Sequence, residues 1–390
     1  MRVNGVYFDR GENDILFAED GAEFIDLQTG FGAVILGHSN PNIVPHLSAQ
    51  IDKIWTTGRL PSKVVESAQA ALQEFLPAQL VPTMFSSSGL EAAEFALRIA
   101  SVITGRSAFI GFARSMHGKS VATIELCWPS QFGTIPGFHC LPFLPEVEEQ
   151  DVLANLEAVL SSEKVAGVFI EPLLGSSGGY SASPAFYQQA IALCERYGAL
   201  SVFDEILTGY YRTGSRFCAE HLGVTPDILL SGKAVGNGFP VAINALHERY
   251  SLTPAMLPGS TFSNNPLAAA VVGATLREME RIDMPAKISS ISDTIPGYFN
   301  DLAELGVVLR GKGALWILQL PFQQAGQLIL EKCLDRGVLV SASGEFLRIL
   351  PAATIEPENL ERACGIVKQA SIEVLEDLIQ SNSLQPKKVG

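Results

Sequence analysis

The stretch ILLSGKAVGNGFP, residues 228–240, poses the problem whose answer decides the fold. Three apolar residues suited to a buried strand run into Lys233, and the chain then becomes glycine-rich and turns. A strongly hydrated ammonium at the end of a buried strand needs a chemical reason to be there. Working outward, SAFIGF (107–112), VAGVFIEP (165–172), ALSVFDE (199–205) and DILLSG (227–232) are short apolar runs separated by longer amphipathic ones. Runs apolar on both faces with helices between them predict an α/β fold around a mostly parallel sheet.

Helix signals fill the intervals. Ser183 as N-cap, Pro184 at the first helical position and Gly198 after CERY bracket a helix over 184–197. Residues 88–104 place Ala92, Phe95, Ala96, Ile99 and Ile103 on one face, with Glu91 and Glu94 in the first turns where the macrodipole favours them. From about residue 290 a second set of apolar runs, including ALWILQL and FLRIL, predicts a further lobe, with a seam near 281–297, RIDMPAKISSISDTIPG. The last ten residues, SNSLQPKKVG, read as a frayed tail.

Composition limits the function classes. A chain of 390 residues with 47% hydrophobic and 17% charged residues supports two cores, or a large and a small lobe. A formal charge of −14 argues against nucleic acid and anionic membranes as partners. The six cysteines, at 127, 140, 194, 218, 333 and 364, form no CxxC pair and no zinc-ligand cluster, a pattern that suits free thiols in the cytoplasm. With Asp9, Glu12 and Asp14 near its start the chain has no signal-peptide pattern, and no run approaches the roughly 20 apolar residues that span a bilayer.

Ligands of open parallel sheets bind outside the carboxyl ends of the strands. Four such ends carry polar groups: Glu171, Asp204 with Glu205, Lys233, and SSSG at 86–89. SSSG opening a helix offers backbone N–H groups to a phosphate. Neither Gly-Lys pair, at 118–119 or 232–233, is a P-loop, because Ala113 and Asp227 stand where its first glycine belongs. A carboxylate such as Asp204 at the end of an apolar run calls for a cation or a good donor, of which a protonated pyridine nitrogen is one. Lys233 can form an imine with an aldehyde. Phosphate cradle, carboxylate and lysine match the three chemical ends of pyridoxal 5'-phosphate, and a structural Asp204–Lys233 ion pair is the alternative.

The segment FDEILTGYYRTGSRFCAEHLGVTPDILLSGKAVGNGFP (203–240) closely resembles the signature of class III aminotransferases. LQTGFGAVILGHSNP (27–41), SSGLEAAEFALRIA (87–100), MHGKS (116–120), IEPLLGSSGG (170–179), GSTFSNNPLAAA (259–270) and LRILPAATI (347–355) follow the family pattern in order. The resemblance implies a pyridoxal-phosphate-dependent transferase of fold type I, with a large cofactor domain over 51–284 and a small α+β domain built from 1–50 and 285–390. It implies that Lys233 is the imine-forming lysine and proton shuttle and that Asp204 pairs with the ring nitrogen. Ser88, Gly89 and Leu90 would hold the phosphate and Ile206 one ring face. Met116, His117 and Glu171 would lie around the cofactor and substrate, and Arg348 would bind a substrate carboxylate. Thr261 would reach the phosphate of a neighbouring subunit, which implies a homodimer. No metal is expected.

Four departures from the family pattern stand out. Met116 replaces the usual aromatic before HG, Leu207 a polar residue after DEI, Ser176 the second glutamate of EPxxGE, and Leu90 a Thr or Ser. Transfer of an amino group from an amino acid or amine to a keto acid or aldehyde is the function expected. A racemase or aminomutase on the same scaffold is the alternative, and a non-catalytic binding protein is a third class disfavoured by Lys233 and Asp204 together.

Overall fold

Successive residues of the central strands point to opposite faces of one sheet, and each face is covered. In the computed structural model, which describes residues 5–58, 60–128 and 134–381, Ile110, Phe112, Val168, Ile170 and Phe203 lie in one core cluster with Val152, Leu156, Phe186 and Tyr187 of two helices. Their strand neighbours Phe109, Phe169 and Val202 lie in another, with Ala92, Ala96 and Ile99 of the helix Gly89–Thr104. The period of two along a strand produces this division, and it explains why these segments read as continuously apolar.

In chain order the strands are β1 (Phe8–Glu12), β2 (Ile15–Ala18) and β3 (Glu23–Asp26), then β4 (Leu80–Ser86), β5 (Ala108–Phe112), β6 (Phe138–Leu141) and β7 (Val165–Ile170). β8 (Leu200–Glu205), β9 (Ile228–Ser231) and β10 (Ala242–His247) follow, then β11 (Val308–Lys312), β12 (Leu315–Gln319), β13 (Val338–Leu339), β14 (Ser341–Ser343) and β15 (Phe346–Ile349). The large sheet has the order β4-β10-β9-β8-β7-β5-β6. Only β10 runs against its neighbours, so the α/β fold with a mostly parallel sheet is the one observed.

Two compact units divide the chain: 42–210 with 215–278, which holds the large sheet, and 1–41 with 211–214 and 279–390. The second unit holds the sheets β1-β2-β3-β13 and β11-β12-β15-β14. ALWILQL and FLRIL supply its strands β12 and β15.

The helix signals hold in detail. Ser183 Oγ accepts from the Phe186 amide at 3.3 Å, Pro184 opens Pro184–Tyr197, and Gly198 ends it at φ 67°. The helix Gly89–Thr104 buries a broader face than predicted. Ala93, Leu97 and Ala100 join Ala92, Ala96 and Ile99, while Phe95 and Ile103 are only partly covered.

The stretch expected as a seam lies beside the unit boundary at 278/279 and is itself no linker. The stretch 281–297 is a helix, Met284–Phe299, apart from a break at 282–283. Asp283 in the left-handed region caps it through a 3.3 Å bond from the Ala286 amide, Pro285 sits in its first turn, and Ile288, Ile291 and Ile295 are buried. Apolar residues at helical spacing outweigh the proline and serine content that marks a linker in sequence. Residues 382–390 of the presumed tail lie outside the described residues.

Within the smaller unit, Arg212 is fully buried. It donates to the carbonyls of Ala314 at 3.1 Å, Pro351 at 2.6 Å and Gly32 at 3.1 Å. Burial pushes its guanidinium down to about 9, so it is still protonated at neutrality. It supplies donors to three chain segments that also meet one another directly, through the Leu350 amide on the Leu27 carbonyl and the pairing of β12 with β15. Arg212→Leu leaves three buried carbonyls without these donors, and we expect a loss of about 3 kcal/mol or more in the unfolding free energy of this unit. A urea transition followed by a probe in residues 279–381 checks this, and an unchanged midpoint refutes it.

Candidate active site

Six strands of the large sheet share a direction, so their carboxyl ends lie along one edge of it. β7 ends before Glu171, β8 at Asp204 and Glu205, β9 before Gly232 and Lys233, and β4 before Ser87–Gly89. The larger unit thus brings these sequence-predicted residues to a common edge, as the rule for open parallel sheets requires.

Asp204 and Glu205 are consecutive, and the strand period sends them apart. Asp204, 3% exposed, lies with Oδ2 2.9 Å from Nδ1 of His117, and its Oδ1 accepts from the Ile206 amide at 3.1 Å. Because a carboxylate only accepts, Nδ1 of His117 carries the hydrogen. The His117 ring is buried, sits 5.6 Å from the Phe169 ring, and its other nitrogen, Nε2, has no hydrogen-bond partner among the described residues. His117 therefore acts through Asp204, holding one carboxylate oxygen in place.

Glu205 turns the other way, where its carboxylate accepts from the amides of Cys218 at 2.6 Å and Ala219 at 2.7 Å and from Thr208 Oγ1 at 2.9 Å. It secures the start of the helix Cys218–Leu222 and is a residue of the fold.

Glu171 is buried and clamps main chain on two sides. Its Oε2 accepts from the Met116 amide at 2.9 Å and its Oε1 from the Gly175 amide at 3.1 Å. Burial, with the charge of Asp204 added, pushes its carboxyl up to about 7. This is how the segment carrying Met116 and His117 is tied to the segment carrying Gly175. Leu207 packs so closely on Gly175 that a side chain there would collide with Leu207 Cδ2. The polar residue of the family pattern is thus replaced by an apolar wall.

At the start of the helix Gly89–Thr104, Ser88 Oγ accepts from the Glu91 amide at 3.2 Å and the Glu91 carboxylate accepts from the Ser87 amide at 2.6 Å. A Cβ on Gly89 would fall 2.7 Å from Ile206 Cδ1, so only glycine lets the Ile206 side chain approach this helix end. Leu90 packs on Gly118, which has a φ of 133°. Thr261 stands in an exposed turn beside Phe262, which is 57% exposed.

Lys233 opens a short 3-10 turn, Lys233–Gly236, with φ 43°. A side-chain-bearing residue in the left-handed region costs about 1–2 kcal/mol, which the surrounding fold must sustain. A Cβ on Gly232 would lie 3.5 Å from Ile206 Cγ2, so the residue before the lysine packs on the residue that closes the helix end. Lys233 is partly buried, less covered than its place after an apolar strand suggests.

Arg348 belongs to the smaller unit. On β15 it faces Ser341 of β14, whose Oγ accepts from Nε at 3.1 Å and Nη2 at 2.5 Å, and its Cζ lies 5.4 Å from the Phe31 ring centroid. The structure adds residues that sequence reasoning passed over: Arg212, Ser341, Phe31 and the capping role of Glu205. Only the unusual aromatic between two glycines at 30–32 was visible beforehand as a signal.

A glycine-walled helix end, a buried carboxylate with lone pairs beyond its two protein donors, and a lysine in a strained turn together define an α/β enzyme built for covalent group transfer. The chain belongs to the class III aminotransferases, whose family model, Aminotransferase class-III, matches residues 2–371. It is 31% identical to the [LysW]-aminoadipate semialdehyde/glutamate semialdehyde transaminase of Sulfolobus acidocaldarius, over 98% of this chain and all of that protein. It is also 31% identical to a succinylornithine transaminase of Salmonella newport, over 90% of this chain and 88% of that one. The chain is therefore a transaminase of fold type I, from a family that works with pyridoxal phosphate. These relatives lend nothing to the racemase or aminomutase alternative. Among the described residues no group of His, Cys, Asp or Glu could hold a metal, no helix is long and apolar enough to cross a membrane, and the cysteines are free.

The site carries a pH signature in its neighbour. Burial raises the Glu205 carboxyl from 4.5 to about 7. Between those values the folded chain keeps a proton that the unfolded chain has lost, so this contribution is full below pH 4.5 and fades as pH rises through 7. Glu205→Gln has no such proton. We expect the stability of the wild type relative to this variant to fall by about 3 kcal/mol between pH 4.5 and pH 8, measured by urea midpoints; a flat difference refutes it.

Proposed function

We propose that this chain moves an amino group from an amino acid or amine donor to a keto acid or aldehyde acceptor with pyridoxal 5'-phosphate held at the carboxyl edge of the large sheet. The observation that carries the reading is the buried Asp204–His117 pair at the same sheet edge as Lys233. When bound, the cofactor supplies an aldehyde for a lysine amine and a ring that takes up the electron pair released at the donor carbon.

In this reading, Asp204 keeps the ring nitrogen protonated, and His117 keeps Asp204 from turning away. Gly89 and Leu90 offer main-chain amides, and Ser88 the cap, at the helix end where the phosphate binds. Ile206 would cover one ring face and Met116 the other, a softer contact than an aromatic provides. Lys233 Nζ would be the amine that holds the cofactor's aldehyde and the base that moves a proton at the donor carbon. Glu171, tied to two amides, holds the loops around them. Arg348 receives a carboxylate of the donor or acceptor.

The relatives' names support a donor whose reacting amine is remote from a carboxylate, with a semialdehyde as the product or acceptor. The molecule works, we propose, as a cytoplasmic homodimer with residues 51–284 as cofactor domain and both termini in the small domain. Ile54, Trp55, Val121 and Phe262 of the larger unit are 50%, 61%, 75% and 57% exposed, apolar side chains that a second copy would cover. Thr261, beside Phe262, would then serve the phosphate of the partner subunit.

Lys233→Ala is expected to abolish turnover and to remove the borohydride-stable cofactor adduct from the peptide containing residue 233. Asp204→Ala is expected to keep that adduct and to lose about 100-fold or more in rate. Adduct formation in the absence of Lys233, or racemisation of a single amino acid enantiomer without any acceptor, contradicts the proposal.

A further inference from the structure

Gly273 is buried in the interior of the helix Pro266–Arg281. Glycine destabilises a helix relative to alanine, so the missing side chain needs a use. Close approach of a second helix is not that use: among the described residues, a Cβ on Gly273 would have Arg277 Nη1, at 3.4 Å, as its one neighbour within 4 Å beyond the helix backbone. The Arg277 guanidinium thus folds back one turn along its own helix, into the space that the glycine leaves.

That space belongs to a cleft of about 220 Å³ between this helix and the helices Val44–Ile51 and Lys63–Phe75, lined wholly by residues of the larger unit. Its floor is small and apolar, with Ala68, Ala269 and Ala270 buried. Its polar wall is basic, made by Arg277, Lys53 and His46. A fixed turn brings Lys53 to the cleft: the Lys53 amide donates to the Gln50 carbonyl at 3.0 Å, and Gln50 Nε2 donates to the Ile54 carbonyl at 2.9 Å.

The chain has 41 Asp and Glu against 27 Lys and Arg, yet no carboxylate lines this cleft. Acidic residues close by in sequence are engaged elsewhere, Glu66 with Lys63 at 2.8 Å and Glu278 with Asn42 Nδ2 at 3.2 Å, and Asp52 lies outside the lining. Among the described residues, neither Arg277 nor Lys53 has a side-chain hydrogen bond or ion pair. Two positive charges in one concavity repel each other, and its walls focus their field. A multivalent anion between them turns that repulsion into attraction.

We propose that this cleft is a further binding site, for a small oxyanion with two or more negative charges, held by Arg277 and Lys53 with a ring nitrogen of His46 beside them. Its volume lies below the roughly 300–1,000 Å³ of pockets that take drug-sized ligands, so the occupant is inorganic phosphate, a compact phosphate ester or a short dicarboxylate. A guanidinium fork matches phosphate and carboxylate alike, so charge and oxygen donors are the shared chemistry. None of the residues assigned to the sheet edge lines the cleft, and the inference does not depend on the amino donor or acceptor.

The test is calorimetric titration of the pyridoxal-phosphate-loaded protein at low ionic strength, with inorganic phosphate and, separately, with succinate. The wild type is expected to bind one anion per chain at this site, Arg277→Gln to weaken it about tenfold or more, and Lys53→Gln about fivefold. Lys53→Gln also serves if Arg277→Gln fails to fold. Gly273→Ala keeps every charge and favours the helix, so it is expected to hold or raise the thermal midpoint while weakening the anion about threefold, which a merely structural role would not predict. Phosphate binding lost in Arg277→Gln, with succinate unaffected, supports a phosphate occupant, and succinate binding lost there supports a dicarboxylate. No heat from either anion up to about 10 mM, or equal binding by wild type, Arg277→Gln and Lys53→Gln, overturns the proposal. Binding lost only in Arg348→Ala assigns the anion to the other unit and overturns it as well.

Discussion

The site depends on a carboxylate that would be costly to bury by itself. Asp204 ends a strand covered on both faces, and it is sustained there by the Nδ1–H of His117 and the amide of Ile206. Each of those donors is itself held. His117 is locked by its amide contact to Cys127 Sγ at 3.4 Å and by Phe169, and Ile206 by the glycine that lets it close on the helix end. The Cys127 thiol, pushed up by burial, packs in the core, accepts from the His117 amide and donates to the Thr123 carbonyl.

A second constraint operates in the smaller unit. Arg212 and the left-handed run at 29–32 both place strain or charge where an ordinary core would have neither. Their common effect is to bind three chain segments around the strand that carries Arg348. A buried guanidinium held by carbonyls confers little stability compared with a well-packed apolar core, and its value lies in fixing one arrangement.

Departures from the family pattern acquire a physical form in the fold. Leu207 fills space against Gly175, and Leu90 fills space against Gly118, so both apolar replacements are seated by neighbouring glycines. Met116 is held by its main chain through Glu171, which leaves its side chain as the adjustable part of that loop. The apolar departures at Leu207 and Leu90 are therefore accommodated by packing, beside Asp204, Glu171 and Lys233, which follow the family pattern.

The amino-acid sequence by itself determined the alternation of strands and helices, the caps at Ser183 and Gly198, the lysine after β9 and the carboxylates after β7 and β8. These signals are local: a two- or 3.6-residue period, a proline, a glycine, a charge at the end of an apolar run. The tertiary structure alone decided that Asp204 meets His117 while Glu205 caps a helix, that Arg212 is buried, and that Phe31 lies on Arg348. Those outcomes rest on partners far apart in the chain, such as Asp204 with His117 and Phe31 with Arg348. No window of sequence contains both members of such a pair, so only the folded chain can choose between a solvated charge and a buried one.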